Sequence, residues 1–336
     1  MHIVITGGAG FLGVRLARAL LKRPGFALAG QPAATIAGVT LVDRAHPPAD
    51  LSSDPRIRVV VGDLNQLLSR ARSENDVVRS QDALVFHLAA AVSGECEADF
   101  DLGMRSNLDA TAALLAHCRS LGTSPMIVFA SSLAVFGNSP EQPLPPVIDD
   151  RTLPTPQSSY GIQKFICEQL VADYGRKGYI RARNVRLMTV SVRPGKPNGA
   201  ASSFLSGMIR EPLAGVRAIC PVAPDTPVAL SSPGRTIDGL IRAAEASDAE
   251  WGARTAINLP ALATTPRKMA EALTRLAGAE VSRLIDWQPD PAISKLVTSW
   301  PATVDAARAR ALGLLPDADF DSIVAEYLRE NPSLGP

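Results

Sequence analysis

No apolar run in this chain reaches the length of a membrane span, and no stretch repeats or falls into low complexity. Neither sign of charge is in excess. The 34 Lys and Arg face 33 Asp and Glu, a net charge of +1, which gives no reason to expect nucleic acid or an anionic membrane as partner. Cysteine is sparse: Cys96, Cys118, Cys167 and Cys220 have no metal-ligand spacing, and a chain of 336 residues closes a core without disulfide staples. They read as reduced thiols, and no metal is expected. Met1 leads directly into an apolar run rather than a leader peptide, so a soluble, cytoplasmic protein is expected.

What the chain does contain is a series of short, unbroken apolar runs, each ending in small or polar residues. Residues 2–6 end in Gly7-Gly8-Ala9-Gly10-Phe11-Leu12-Gly13, residues 39–42 in Asp43, and residues 57–61 in Gly62-Asp63-Leu64. Residues 83–88 end in Ala89-Ala90-Ala91, and residues 126–130 in Ser131-Ser132. Unbroken rather than alternating runs mark strands covered on both faces. Helical patterns intervene, one over residues 105–121 with Gly122 as its stop. Strand and helix in alternation predict an α/β fold, a doubly wound Rossmann-type parallel sheet with right-handed crossovers. Residues 26–38 read as an insertion without an assigned role. A further apolar run, residues 186–192, leads into Arg193-Pro194-Gly195, and beyond it the elements become shorter and less regular. We therefore divide the chain into residues 1–195, a nucleotide-binding domain, and residues 196–336, a smaller, mainly substrate-binding region with some segments returning to the main sheet.

Thr155-Pro-Gln-Ser-Ser-Tyr160-Gly-Ile-Gln-Lys164 carries the chemistry. Ile162, Phe165, Ile166, Leu170 and Tyr174 recur at helical spacing, so Tyr160 and Lys164 share one helix face. A phenol with a cation beside it is a usable base near neutral pH. A surface Tyr and Lys on an amphipathic helix is the bland alternative, and it loses because other elements require the same site. Gly7 permits the tight turn after the first strand, Gly10 lets backbone approach a pyrophosphate, and Gly13 lets the helix pack closely. The helix N-terminus adds unpaired N–H groups for phosphate. Asp43 suits the two ribose hydroxyls of an adenosine and would repel a 2′-phosphate, favouring NAD, while Arg44 beside it keeps NADP open. Asp63 is either a contact for the adenine amino group or a structural turn residue. Ser132, at the carboxyl end of its strand, can hold the oxygen on which Tyr160 acts. Asn107 is either an amide holding water or backbone near Lys164, or a helix-surface residue.

These residues resemble the extended short-chain dehydrogenase/reductases, the NAD-dependent epimerase/dehydratase family. The segment from Thr6 to Gly13 looks like that family's cofactor loop, including Phe11 and Leu12. Asp63-Leu64 and His87-Leu88-Ala89-Ala90 are similar to its adenine-side and nicotinamide-side segments. Ser131-Ser132-Leu-Ala-Val135-Phe136-Gly137 resembles its serine-bearing strand, and Tyr160 and Lys164 fall on its Tyr-x-x-x-Lys motif. Phe136 departs from a common Tyr, and Gln163 from the small residue often preceding the Lys. The resemblance implies a Ser132, Tyr160, Lys164 catalytic set with Asn107 in support, Lys164 also holding the nicotinamide ribose. It further implies a homodimer formed through the helices of Asn107 and Tyr160.

The stretch from Arg193 to Phe204, with Ile209-Arg210-Glu-Pro-Leu213, is similar to NAD-dependent members that oxidise a four-carbon sugar acid at C2. A sugar acid needs a cation for its carboxylate, and Arg193, Lys196, Arg210 and Arg235 are available, with Ser93 and Asn198 as further contacts. Arg235 is the favoured clamp, because Ser231-Ser-Pro-Gly-Arg235 opens a predicted helix. The expected function is NAD-dependent oxidation of a 2-hydroxy sugar acid. A nucleoside-diphosphate-sugar 4-epimerase would use the same triad without net NADH. A non-catalytic NAD-sensing module would have no need of that triad.

Overall fold

The computed structural model describes residues 1–69, 77–195 and 199–334. Seven parallel strands form the central sheet: β1 (His2–Thr6), β2 (Gly38–Asp43), β3 (Ile57–Val61), β4 (Asp82–His87), β5 (Met126–Ser132), β6 (Arg181–Leu187) and, after three strands outside it, β10 (Ile257–Asn258). The order is β3-β2-β1-β4-β5-β6-β10. The chain winds outward from β1 in one direction and then from β4 in the other, so the crevice beyond the carboxyl ends of β1 and β4 is where such a sheet takes a ligand. Thr6 is in register with Val42 on one side and His87 on the other, which aligns the ends that carry Gly7, Asp43 and Leu88.

Alternate residues of each strand enter two separate cores, as the pleat requires. Ile3, Ile5, Leu41, Leu84 and Phe86 pack with helices Phe11–Leu21 and Pro233–Glu245. Val4, Val42, Val85, Ile127 and Phe129 pack with helices Ala110–Leu121 and Ser159–Arg176. The segment over residues 26–38 belongs to the first core, where Phe26 and Ile36 are buried and Phe26 bridges Ala34.

β7 (Thr189–Val190), β9 (Val228–Ser231) and β11 (Leu262–Thr264) form a second small sheet, and β8 (Ala218–Cys220) pairs with β12 (Ile285–Trp287). Their own core includes Met208, Ile209, Leu273 and Ile323. The main-sheet strand before Arg193 begins earlier than the apolar run at residues 186–192 implies. β6 carries Arg183, Asn184 and Arg186 in its buried stretch, and each is matched: Arg183 to Asp248, Asn184 to the Glu168 carbonyl, Arg186 to Glu168. Paired polar residues inside a strand are invisible to a hydrophobic pattern.

The helix expected over residues 105–121 is α-helical only over Ala110–Leu121, preceded by a π-helical turn, Met104–Asp109. Gly122 ends it in the left-handed region, at φ 71°. The helix expected around Tyr160 spans Ser159–Arg176. Ile162 and Ile166 face outward, 47% and 38% exposed, while Gln163, Lys164, Cys167, Glu168 and Val171 are buried. This helix turns its chemistry-bearing side to the sheet. Among the described residues no helix is long and apolar enough to cross a membrane, and no group of His, Cys, Asp and Glu is arranged to hold a metal.

Candidate active site

A cavity of about 580 Å³ runs along the carboxyl ends of the strands, from Asp43 and Asp63 to Tyr160, Arg193 and Trp300. Its floor is the glycine loop. Gly7 sits at φ +72°, and a Cβ on Gly13 would meet the Gly7 carbonyl oxygen at 2.1 Å, so the Phe11–Leu21 helix starts against the loop only because both are glycine. Gly10, Phe11 and Leu12 line the same wall. At the end of β2, Asp43 accepts from the Ala9 N–H at 3.0 Å on one carboxylate oxygen and from the Arg44 N–H at 2.7 Å on the other. The first of these leaves its oxygen with acceptor capacity for a ribose hydroxyl, while the second oxygen also accepts from the Ala45 N–H at 3.3 Å. A cradle without Cβ atoms, a helix N-terminus and a fixed carboxylate suit a dinucleotide.

Asp63 also lines the cavity, yet its carboxylate caps the Leu64–Ser69 helix through the N–H groups of Asn65 and Gln66 and pairs with Arg44. The turn role is filled, and Leu64 beside it is buried in the cavity wall. Arg44 is thereby engaged.

Ser132 and Tyr160 come together at the opposite end. The Ser132 Oγ accepts from the Ala134 N–H at 3.2 Å, which leaves its own proton to donate. The half-buried Tyr160 is pushed up to about 12 by burial, opposed by its hydrogen bond with Ser132 and by the charge of Arg193. Lys164 stands deeper. Its Nζ donates to the Ala130 carbonyl at 2.9 Å and lies 4.8 Å from the Phe129 ring centre, 5.7 Å from that of Tyr160. Burial pushes this ammonium down to about 8. Arg193 is thus a second cation that opposes the rise of the phenol, beside the Lys164 that the four-residue spacing placed there. Lys164 is held by a carbonyl of β5.

Asn107 is buried, and its side-chain hydrogen bonds go to Ala91, Cys96 and Gln163 rather than to Tyr160 or Ser132. Its Oδ1 accepts from the Ala91 N–H at 2.8 Å, and its Nδ2 donates to the Gln163 Oε1 at 2.8 Å. It holds backbone of the segment after β4 against the Tyr160 helix, one of the two roles expected of it. Gln163, the departure from the family pattern, fills the space beside Gly103 and supplies that acceptor. A buried chain continues behind it. Thr111 donates to the Asn107 carbonyl, so His87 Nε2 donates to Thr111 Oγ1, and Nδ1 accepts from Thr6. Burial drives His87 down to about 3, which fixes it neutral in this chain of hydrogen bonds.

Ala89, Ala90 and Ser93 line the cavity after β4, and the Ser93 Oγ accepts from the Ala201 N–H. Of the expected cations, Arg193 alone among the described residues is in the cavity wall, its Nη2 donating to Ser202 and its Nε to the Val190 carbonyl. Arg210 is buried behind it, donating to the Arg193 carbonyl and pairing with Glu211. Arg235, the favoured clamp, lies outside: it lines a separate recess of about 100 Å³ with Asp238 and Leu314. Its helix packs on the sheet face opposite the Tyr160 helix, which removes it from the site. Lys196 and Asn198 fall outside the described residues. Ser131 turns its hydroxyl to Glu168.

The model of the NAD dependent epimerase/dehydratase family matches residues 3–227. The chain belongs to that family. NAD is therefore its cofactor, as the glycine loop and Asp43 require. A D-erythronate dehydrogenase of Cupriavidus necator is 49% identical over 98% of both chains, and one of Haemophilus influenzae is 39% identical over 98% of this chain and 99% of its own. Among solved structures, a nucleoside-diphosphate-sugar epimerase from Agrobacterium tumefaciens superposes with a TM-score of 0.86 at 37% identity, covering 99% of this chain and 95% of its own. Within this family framework, sequence reasoning missed Glu168, Arg186 and Trp300. Glu168, four residues after Lys164, had a usable signal in its spacing. Trp300 had none.

Proposed function

We propose that this enzyme oxidises D-erythronate at C2, producing the 2-keto acid and NADH. One observation carries the reading: Arg193 shares a cavity wall with Ser132 and Tyr160. A 2-hydroxy acid needs that grouping, because its carboxylate is bonded directly to the carbon that is oxidised, so an anion site and a proton acceptor must stand side by side. The two D-erythronate dehydrogenase relatives, each matched over nearly its whole length, support the same substrate.

Tyr160, a neutral phenol in the free enzyme, has to ionise in the loaded enzyme to take the proton of the C2 hydroxyl, while Ser132 donates to the same oxygen and orients it. Arg193 grips the carboxylate through its planar guanidinium. Ser93 and Ser202 offer hydroxyl partners for the remaining carbons, and Arg210 holds the Arg193 backbone from behind. Lys164 secures the nicotinamide ribose, and Asn107 fixes the wall that carries Ala90. NAD, when bound, supplies the hydride acceptor. Residues 196–336 act mainly on the substrate side, through Ala200, Ser202 and Trp300. We further infer a cytoplasmic homodimer, paired through the outer faces of the Asn107 and Tyr160 helices.

The deciding assay mixes enzyme and NAD with four-carbon sugar acids and, separately, with UDP-sugars, following NADH by absorbance. Stoichiometric NADH from D-erythronate supports the reading. Interconversion of a UDP-hexose without net NADH, and no response to any sugar acid, overturns it in favour of a 4-epimerase.

A further inference from the structure

Every described residue lining the cavity lies between Thr6 and Ser202, with one exception, Trp300. It is brought there by backbone ties between distant segments. The Asn138 N–H donates to the Ser299 carbonyl at 2.7 Å, the Ile148 N–H to Thr303 at 3.1 Å, and the Asp305 N–H to Ile148 at 2.8 Å. Asn138 follows the carboxyl end of β5 by six residues, so Trp300 stands at the β5 end of the cavity, across the sheet from Asp43 and Asp63 at the ends of β2 and β3. Trp300 is half-buried and packs against both the first core of the main sheet and the core of the C-terminal region. A side chain gripped by two cores and stitched along its backbone is a fixed wall, not a swinging cover.

The chemistry of that wall is distinct from its surroundings. Ser93, Ser132, Thr189, Arg193 and Ser202 line the same cavity and bring hydroxyls and a cation to it. They can satisfy the carboxylate and hydroxyls of a short polyol acid. A longer acid would press further hydroxyl-bearing carbons against an indole face, which meets them with bulk and strips their water without returning a hydrogen bond.

We infer that Trp300 sets the length of acid this enzyme accepts, closing the substrate end of the cavity after about four carbons. This rests on the sugar-acid reading above and adds to it the residue that makes the substrate short. Shape exclusion of this kind is commonly worth about ten- to two-hundredfold per added group.

The test compares kcat/KM for aldonic acids of four, five and six carbons sharing the C2 configuration of erythronate, in wild type, Trp300→Leu and Trp300→Ala. Wild type should favour the four-carbon acid. Trp300→Ala should reduce the four-to-six preference at least tenfold, chiefly through KM for the acid, with Trp300→Leu between. The KM for NAD, unchanged in both, reports an intact fold. Should Trp300→Ala fail to fold, Trp300→Leu, which keeps the apolar packing, carries the comparison. An unaltered preference in variants with normal NAD binding overturns the inference and leaves the sugar-acid reading standing, as does a wild type that takes six carbons as readily as four. A wild type that oxidises none of the acids overturns both.

Discussion

Glu168 and Arg186 meet through two hydrogen bonds, Nε to Oε1 at 2.9 Å and Nη2 to Oε2 at 2.8 Å, with both side chains buried. Glu168 follows Lys164 by one helical turn, and Arg186 lies near the carboxyl end of β6. The Ser131 hydroxyl donates to the same Oε1 at 2.5 Å, and the guanidinium rests 4.8 Å from the centre of the Phe136 ring. One ion pair thus fixes the strand of Ser132, the neighbouring strand and the helix of Tyr160 in a single register. Burying two charges costs much of what their attraction returns, so the value of the pair is this registry rather than net stability.

Breaking the pair from one side should be severe. Arg186→Met leaves the Glu168 charge buried, a loss of about 3–5 kcal/mol. The double change Glu168→Leu with Arg186→Met should recover most of that loss. Urea unfolding midpoints measure both. A single variant within about 1 kcal/mol of wild type would show that water reaches the carboxylate.

Much of this arrangement was legible from local signals. The glycine loop, Asp43 and Ser132 each sit at or just past the end of a short apolar run, and Tyr160 and Lys164 share one helix at four-residue spacing. The rest depends on contacts distant in sequence. Arg235 opens a helix, as expected, but the chain carries that helix to the other face. Ile162 and Ile166 lie on the outer side of the Tyr160 helix, and its packed side holds Lys164 and Glu168, whose partners on β5 and β6 are distant in sequence. Trp300 reaches the cavity only because residues near 138 and 148 hold its segment there.

The carboxylate clamp can be tested by pairing two arginines. Arg193→Lys keeps the charge and loses the planar fork, so KM for the sugar acid should rise about ten- to a hundredfold while KM for NAD stays near wild type. Arg235→Lys, made outside the cavity, should leave both unchanged. A defect in Arg235→Lys with normal Arg193→Lys would return the clamp to Arg235.

Tyr160 should resist ionisation in the free enzyme. At about 12, only about one phenol in a hundred is ionised at pH 10, where an unperturbed one is half ionised. The difference in tyrosinate absorbance between wild type and Tyr160→Phe measures this. Arg193→Met removes a charge that lowers the phenol and should push it higher still. Turnover of Tyr160→Phe should fall at least about a hundredfold, with NAD affinity retained. A full tyrosinate signal by pH 10 would mean that water, not the cavity wall, surrounds the phenol.

Ile162 and Ile166 are exposed on the outer side of the Tyr160 helix, and the proposed dimer would bury them against a second copy. Light scattering at micromolar concentration should give a dimer mass, and Ile162→Glu with Ile166→Glu should give a folded monomer. A monomeric wild type would assign those side chains to solvent and remove the dimer.

Cofactor choice rests on Asp43 and on the residue beside it. The Asp43 carboxylate, fixed by the Ala9 and Arg44 N–H groups, occupies the place where a 2′-phosphate would bring a second negative charge. Arg44, the next residue, could neutralise such a phosphate, but its Nη2 is engaged with Asp63 at 2.5 Å. Wild type should therefore prefer NAD. Asp43→Ala should weaken NAD binding, by losing the ribose contact and the tie to Ala9, and should narrow the gap to NADP. Adding Asp63→Asn removes the charge that holds Arg44 and frees the guanidinium for the phosphate. The double variant should move further toward NADP, by about tenfold or more beyond the single change, since a charge-assisted contact is commonly worth at least that much. Comparing kcat/KM for NAD and NADP across the three proteins decides it. If the second substitution adds nothing, Arg44 does not reach the ribose, and Asp43 alone sets the preference.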